Sequence, residues 1–169
     1  MSLSHGFPPV ADALARVLVL GSLPGKASLV AQEYYAYRQN AFWRIMGDLI
    51  GAGPAVPYAQ RQEKLRAQGV ALWDVIAAGE RPGSLDADIV KASVSINDFS
   101  AFFAVHRNID RIFFNGAAAE AAFRRHVLPG LQRSSLQLIR LPSTSPAHAA
   151  CSYAEKLAAW SAIVAPGNK

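Results

Sequence analysis

The stretch that decides the fold is LVLGSLPGKAS, Leu18–Ser28, which runs from an apolar strand into a turn of glycine and proline. The lysine and serine behind this turn are typical of phosphate-binding loops. Such a loop needs four residues between its glycines and a Ser or Thr directly after the lysine. Here three residues separate Gly21 from Gly25, Ala27 follows Lys26, and the dinucleotide fingerprint G-x-G-x-x-G is absent. The stretch predicts either an ordinary strand-to-helix connection or a rigid turn whose glycines let backbone approach a ligand closely.

The rest of the chain repeats the pattern of an apolar strand followed by a helix. Near-continuous apolar runs, typical of strands covered on both faces, lie at Arg16–Leu20, Val70–Ile76, Arg111–Phe114 and Leu136–Leu141. Helical patterns lie at Ala41–Ile50, Ala59–Gln68, Asp98–Val105 with Asn97 as its cap, Ala117–His126 and Ser152–Val164. Strands alternating with helices predict an α/β fold whose parallel sheet is covered by helices on both faces. No internal repeat or linker is found, so we expect a single domain over residues 1–169.

The composition is that of a globular protein, with 51% apolar and 17% charged residues in a chain of 169. Its apolar runs are far too short to cross a bilayer, and no basic-then-apolar leader opens the sequence. The single cysteine, Cys151, excludes an internal disulfide and leaves no Cys/His metal cluster, which suits a reducing cytoplasm. We therefore expect a cytoplasmic protein with neither a metal nor a membrane partner. A formal net charge of +5 is a weak indication of a polyanionic partner such as nucleic acid.

Ligands of parallel α/β sheets bind beyond the carboxyl ends of the strands, which selects Gly21–Ser28, Asp74–Asp88, Asn115–Gly116 and Pro142–Ala149. Between the first two segments, Gln32–Ile45 mixes aromatic and arginine side chains, which suits stacking on bases and contact with phosphates. Within it, Phe42 and Trp43 are better explained as core. The loop Leu141–Ala149, LPSTSPAHA, carries hydroxyls that can hold a phosphate backbone, with capping of the last helix as the alternative.

Taken in order, these segments resemble the uracil-DNA glycosylase superfamily, most closely its hypoxanthine-DNA (deoxyinosine) glycosylase branch. The similar motifs are G-S-x-P-G with a trailing Ser (Gly21–Ser28), Y-Y-A-x-x-x-N-x-F-W (Tyr34–Trp43), L-W-D-V (Leu72–Val75), G-S-L-D (Gly83–Asp86), F-N-G (Phe114–Gly116) and L-P-S-T-S-P-A (Leu141–Ala147). The resemblance implies a three-layer α/β/α domain with a central four-stranded parallel sheet. It also implies a monofunctional enzyme that flips a deaminated base out of DNA and hydrolyses its N-glycosidic bond, leaving an abasic site. We expect a monomer that works without a cofactor.

The resemblance assigns the catalytic residue with one departure from the wider family. In relatives such as the mismatch-specific uracil glycosylase the turn reads G-I-N-P-G, and its Asn positions the attacking water. The matching residue here is Leu23, whose side chain can neither orient nor deprotonate water. The essential polar group of the hypoxanthine branch is the Asn of N-x-F-W, here Asn40, which would hold water against C1′ mainly by positioning and electrostatics. Asp74 is the second catalytic candidate, as a base contact or assisting carboxylate, with a helix or turn cap as the alternative.

The resemblance also divides the remaining residues between the base and the DNA. Tyr35 aligns with the stacking aromatic. Asn115, whose amide can match the O6 acceptor and N1–H donor of hypoxanthine, is assigned to the base edge or else caps the helix after it. The turn completes the base site with Gly21, Ser22, Leu23, Pro24 and Gly25. The expected DNA contacts are Lys26, Ser28, Arg38, Arg44, Ser143, Thr144, Ser145 and His148. Relatives insert a bulky wedge from the loop Pro142–His148, where this chain has only Thr144, Ser145 and Pro146.

Three other functions stay open at this point. A uracil or mismatch-specific DNA glycosylase belongs to the same class, although the first turn lacks the Asn of the usual uracil machinery. A non-catalytic binder of single-stranded nucleic acid would use Tyr34, Tyr35 and Tyr37 as a stacking platform. A small-molecule α/β protein would make the basic charge incidental.

Overall fold

A central sheet of four parallel strands organises the part of the chain that the computed structural model describes, residues 3–83 and 85–166. In chain order the strands are β1 (Ser4–His5), β2 (Val17–Gly21), β3 (Val70–Asp74), β4 (Ile76–Gly79), β5 (Ser95–Ile96), β6 (Arg111–Asn115) and β7 (Gln137–Leu141). The central sheet has the order β3-β2-β6-β7, and each neighbouring pair in it is parallel. The expected four-stranded parallel sheet is confirmed.

Helices cover both faces of this sheet. They are α1 (Lys26–Ala31), α2 (Phe42–Ile50), α3 (Tyr58–Ala67), α4 (Phe99–Val105), α5 (Ala117–His126) and α6 (Tyr153–Trp160). Because successive side chains of a strand point to opposite faces, Val19 of β2 packs into a core with α2, α3 and α6. Its neighbour Leu18 packs into a second core with α4 and α5. The three-layer α/β/α architecture is therefore confirmed. No helix within the described ranges combines the length and apolar character needed to cross a membrane.

The predicted strand Val70–Ile76 is wrong in one respect, because it is two strands in two sheets. The chain leaves the central sheet after Asp74 and continues as β4, which pairs antiparallel with β1 and β5 in a small second sheet. At the break, the Val75 N–H donates to Gly21 O at 2.9 Å and the Ile76 N–H donates to Ser22 O at 3.0 Å. Both strands are largely buried, so apolar residues continue on both sides of the break, which is marked only by the charged Asp74.

The helix predictions need two corrections. The cap of α4 is Asp98, whose Oδ1 accepts the Ala101 N–H at 3.0 Å. The predicted cap, Asn97, instead donates from Nδ2 to Asp74 O at 2.8 Å, and so holds the end of β3. The six-residue helix α1 was not among the predicted helices; it begins at Lys26, within the opening stretch, and ends beyond it at Ala31, so a strand-to-helix connection is present there. The other helices begin and end within a few residues of their predicted bounds.

Candidate active site

The four central strands end side by side. Gly21 pairs in register with Asp74, and Asn115 pairs with Leu141. A cavity of about 700 Å³ opens beyond these ends, and every residue predicted for the site lines it except Arg38 and Arg44. Those residues are Gly21, Ser22, Leu23, Pro24, Gly25, Lys26, Ser28, Tyr35, Asn40, Asp74, Asn115, Ser143, Thr144, Ser145 and His148. The rule that ligands bind at the carboxyl edge of a parallel sheet therefore located the cavity correctly.

Gly21 lies where a side chain would collide with two polar groups. A Cβ added at Gly21 would lie 2.6 Å from Asp74 Oδ1 and 2.7 Å from the Tyr35 hydroxyl. Only glycine leaves room for both groups at this point. The glycine in the opening stretch thus brings a carboxyl group and a phenol to the same side of the cavity.

Asp74 is a buried carboxyl group at the end of β3, with 3% of its surface exposed. Its Oδ2 has no hydrogen-bond partner within the described residues, so the alternative of a helix or turn cap is not supported. Burial raises the pKa of Asp74 to about 7, with a further rise from the nearby Asp86 carboxylate and an opposing effect of Arg81. Near neutral pH the group is therefore present both as an acid and as a carboxylate.

Tyr35 presents its ring and its hydroxyl to the site from a strained backbone. Its φ of 54° lies in the left-handed region, which non-glycine residues adopt rarely and which clusters at functional sites. The ring packs on Phe42, with centroids 4.3 Å apart. The hydroxyl is buried and finds no partner within the described residues. Burial, reinforced by Asp74, raises the pKa of Tyr35, which keeps the phenol protonated as a donor.

Unpartnered polar atoms concentrate at this cavity. Buried side-chain atoms without a hydrogen-bond partner among the described residues are Ser22 Oγ, Tyr35 Oη, Asp74 Oδ2, Asp110 Oδ1, Arg111 Nε and Arg133 Nη1. The first three belong to residues that line the cavity. Native proteins rarely leave buried polar groups unsatisfied, so three such atoms around one space indicate a site built for a polar ligand.

Asn40 lies in the turn that leads into α2. Its Oδ1 accepts the Phe42 N–H at 2.9 Å, and its own N–H donates to Tyr37 O at 2.9 Å. The Nδ2 amide has no acceptor within the described part of the chain, and the residue lines the cavity. The carboxamide is thus fixed through its oxygen while its nitrogen keeps both hydrogens for a ligand or a water.

Asn115 is joined to the loop after β7. Its Nδ2 donates to Thr144 Oγ1 at 3.0 Å, and its Oδ1 accepts the Thr144 N–H at 2.9 Å. The alternative of a helix cap is wrong, because Gly116 is the N-cap of α5. The Thr144 carbonyl in turn accepts the Ala41 N–H at 3.0 Å. Asn115 and Thr144 therefore connect two strand ends with the turn that holds Asn40.

The residues predicted to contact DNA differ in how far their side chains are free to do so. Lys26 and His148 are exposed at the cavity. The hydroxyl of Ser28 accepts the Ala36 N–H at 3.1 Å, and the hydroxyls of Ser143 and Ser145 accept N–H groups within their own loop.

The alternative that the loop Leu141–Ala149 caps the last helix is wrong, since Ser152 is the cap of α6. Of the two arginines outside the cavity lining, Arg44 stacks on the ring of Tyr153 at 3.7 Å.

Leu23, at the position where relatives have a catalytic Asn, is 6% exposed and apolar. The predicted core residues Phe42 and Trp43 are confirmed as buried. Tyr34 is also buried, and its hydroxyl donates to Pro8 O at 3.0 Å. The platform of three tyrosines proposed for a single-strand binder is therefore wrong, because Tyr34 does not reach solvent.

Arg81 is a site residue that the sequence did not reveal. It is 9% exposed, lines the cavity, and donates to the carbonyls of Leu23 and Pro24. Asp86 lies 3.8 Å from the guanidinium. The nearby motif G-S-L-D was the available signal, although its Ser84 lies outside the described residues.

Arg81 completes the hydrogen bonding of the turn Gly21–Gly25. The Gly21 and Ser22 carbonyls accept from β3–β4, those of Leu23 and Pro24 accept from Arg81, and Gly25 O accepts the Leu29 N–H. The N–H groups of Ser22, Leu23 and Gly25 have no acceptor within the described ranges. The turn therefore meets a ligand with backbone donors. No group of His, Cys, Asp and Glu in the described residues has the arrangement of a metal site.

Comparisons with known proteins found a family model, two relatives and a solved structure that are similar to this chain. The family model described as the uracil DNA glycosylase superfamily matches residues 8–164. A relative named hypoxanthine DNA glycosylase, from Methanosarcina barkeri, is 40% identical over 113 residues, which are 66% of this chain and 70% of that protein. One of the same name from Methanosarcina acetivorans is 38% identical over 118 residues, 69% of this chain and 73% of that protein. A solution NMR structure from Methanosarcina acetivorans, described as a candidate uracil DNA glycosylase, is 34% identical with a TM-score of 0.80, covering 96% of this chain and 97% of that one.

Proposed function

Since the chain belongs to the uracil DNA glycosylase superfamily, it is a monofunctional DNA-repair glycosylase that hydrolyses the N-glycosidic bond of deaminated bases, and we propose hypoxanthine, from deoxyinosine, as its base. The observation that carries the proposal is the group of unpartnered buried atoms on Ser22, Tyr35 and Asp74 around one cavity. Two relatives named hypoxanthine DNA glycosylase support the choice of base. The target nucleotide has to leave the duplex, because its C1′ cannot be reached within the stack.

Asp74 is the group that we assign to the edge of the base. Hypoxanthine offers an acceptor at O6 and a donor at N1–H. A neutral carboxyl group can donate to the first and accept from the second, whereas a carboxylate only accepts. Burial raises the pKa of Asp74 to about 7, so the neutral form is populated near neutral pH. Tyr35 contributes its phenol as a donor and its ring as a stacking surface, and the backbone donors of Gly21–Gly25 complete the base site.

Asn40 is the group that we assign to the reacting water. Its Oδ1 is held by the Phe42 N–H, so its Nδ2 can donate to a water without reorientation of the side chain. The water oxygen forms the new bond to C1′ as the bond to the base nitrogen breaks, and the proton of the water leaves with the base. An amide does not act as a strong base, so Asn40 works by positioning the water and by stabilising charge.

The DNA backbone is assigned to the polar rim of the cavity. Lys26 and His148 are exposed there. The hydroxyls of Ser143 and Ser145 accept N–H groups of their own loop and can still donate to a phosphate, whereas Thr144 is buried and bonded to Asn115. Arg38 and Arg44 lie outside the cavity lining, where they would meet the strand beyond the flipped nucleotide. Asn115 is assigned a positioning role, because both polar ends of its amide bond Thr144. The expected monomer and cytoplasmic location stay predictions.

The test offers the purified protein labelled DNA with a single inosine, uracil, xanthine or ethenoadenine, followed by alkaline cleavage of abasic sites. We expect product from inosine at the highest kcat/KM. Uracil is the second candidate because it presents the same neighbouring acceptor and N–H donor. A higher kcat/KM on uracil would overturn the choice of hypoxanthine, and no product from any duplex would overturn the enzyme assignment.

A further inference from the structure

A flipped base leaves a gap in the duplex, and proteins that unstack DNA often insert a large side chain there. The loop Leu141–Ala149, where relatives were expected to carry the wedge, exposes no large apolar side chain, and its one exposed ring is the imidazole of His148. Its members at the cavity are Ser143, Thr144, Ser145, Pro146, Ala147 and His148, and its one large apolar residue, Leu141, is 3% exposed in the core. A large side chain from another part of the protein is therefore the better candidate to fill the gap.

Tyr37 has a large, half-exposed side chain and lies beside the active-site cavity. It is 51% exposed and lines the active-site cavity. It also lines a neighbouring cavity together with Ala27, Ala36, Arg38 and Gln39. Tyr37 therefore borders both the base pocket and a second depression on the surface.

The ring of Tyr37 is free for stacking. The chain has five tyrosines. Tyr34 and Tyr35 pack on aromatic rings, as does Tyr58 on Trp43, and Tyr153 lies under Arg44. Within the described residues, Tyr37 has neither an aromatic nor a cationic partner. An aromatic face exposed beside a nucleotide pocket is suited to stacking on a base.

The position of Tyr37 is tied to the catalytic turn. Its carbonyl accepts the Asn40 N–H at 2.9 Å, and its hydroxyl donates to Gln39 Oε1 at 3.3 Å. The adjacent Arg38 is exposed and lines the second cavity, where a guanidinium can meet a phosphate. The backbone of Tyr37 is thus fixed relative to Asn40, three residues further along the chain.

We propose that Tyr37 enters the duplex at the gap which the flipped base leaves, with its ring stacked against a flanking base. The inference rests on the proposed function. Tyr37 then fills the gap, for which the loop after β7 has no large apolar side chain. Because a gap exists only where neighbouring bases are paired and stacked, the contribution of Tyr37 is specific to duplex DNA.

The test compares cleavage of inosine in a duplex with cleavage of the same strand alone. We expect Tyr37→Ala to lower kcat/KM by about 10-fold or more on the duplex, the scale of one lost stacking contact, and by less than about 3-fold on the single strand. Tyr37→Phe retains the ring and should stay within about 3-fold of wild type on both. Leu85→Ala is the competing variant, because Leu85 lines the same cavity and is also 51% exposed.

The outcomes separate this inference from the proposed function. An equal loss on duplex and single strand would assign Tyr37 to the base pocket and overturn the inference. So would an unchanged Tyr37→Ala, or a duplex-specific loss found with Leu85→Ala instead. In each of these cases the wild type still cleaves inosine and the proposed function stands. A wild type that cleaves neither form overturns the proposed function, and the inference with it.

Discussion

Asp74 Oδ1 and the Tyr35 hydroxyl both lie within 2.7 Å of the point that a Cβ of Gly21 would occupy. The last residue of β2 thus sets the distance between the carboxyl group and the phenol that we assign to the base. The geometry of the pocket depends on the missing side chain of Gly21 as much as on the two groups that are present.

Gly21→Ala should therefore abolish cleavage. The new methyl group would displace Asp74 and Tyr35, and we expect a loss of about 100-fold or more in kcat/KM together with a fall of about 1–3 kcal/mol in the free energy of unfolding. Gly130→Ala is the matched control, because a Cβ there meets nothing within 4 Å. Steady-state kinetics and urea unfolding measure both effects, and an active Gly21→Ala would show that the pocket is assigned wrongly.

The activity should depend on the protonation of Asp74. If the neutral acid binds the base, cleavage of inosine falls as pH rises through about 7, the value to which burial raises the pKa of Asp74. Asp74→Asn keeps one donor and one acceptor at the same place, so this variant should remain active and lose the decline at alkaline pH. The measurement is kcat/KM from about pH 5 to about pH 9. An inactive Asp74→Asn with an intact fold would instead indicate a carboxylate that assists the water.

The same carboxyl group should make stability depend on pH. Its pKa is raised from 3.8 to about 7 on folding, so between these values the folded state holds a proton that the unfolded chain has released. The free energy of unfolding therefore decreases as pH rises from about 4 to about 7, and then levels. Asp74→Asn removes this contribution, so its stability relative to wild type should increase across that window, by at most about 4 kcal/mol. Urea unfolding at several pH values measures the difference, and a constant difference would contradict the raised pKa.

Asn40→Asp separates catalysis from folding at one position. The aspartate retains an oxygen for the Phe42 N–H that Oδ1 accepts in the wild type, but it has no amide hydrogens for a water. We expect kcat to fall about 100- to 1,000-fold, with a melting temperature close to that of wild type. Asn108→Asp, at an exposed residue away from the cavity lining, makes the same change of charge and should retain activity. Wild-type rates in Asn40→Asp would remove Asn40 from the mechanism.

Arg81→Lys should loosen the turn without removing the positive charge. A lysine cannot reproduce the fork that donates to the Leu23 and Pro24 carbonyls, so we expect a loss of about 10-fold in kcat/KM. Arg133→Lys is the control, because Arg133 also donates to two carbonyls, of Arg107 and Ile109, but lies outside the cavity lining. Both variants should lose about 1–2 kcal/mol of stability. Equal activity in the two would show that Arg81 is only structural.

The sheet and the position of the cavity could be predicted because strands that are buried on both faces are recognisable as apolar runs in the sequence. A strand such as β2, buried at all five positions, has to be apolar throughout, and parallel strands bring their carboxyl ends to one edge. Residues at the carboxyl ends of those strands, such as Asp74 and Asn115, were therefore predictable as neighbours.

The partners within the site could not be predicted in the same way. Arg81 binds main-chain carbonyls, which every residue has and no sequence pattern marks. Asn115 bonds Thr144, 29 residues away, a pairing set by the path of a loop. Asn97 was predicted as a cap on its side-chain chemistry, yet its amide binds the end of β3, because the adjacent Asp98 caps the helix.

The turn Gly21–Gly25, whose carbonyl oxygens are all taken by the protein's own donors, has a consequence for the choice between damaged and normal bases. Deamination replaces an exocyclic amino group with a carbonyl and so turns a donor into an acceptor. Because its free backbone groups are N–H donors, we expect this turn to favour the carbonyl of the damaged base over the amino group of adenine or cytosine. The turn would therefore distinguish each deaminated base from its own parent, hypoxanthine from adenine and uracil from cytosine, before any contact with the opposite strand.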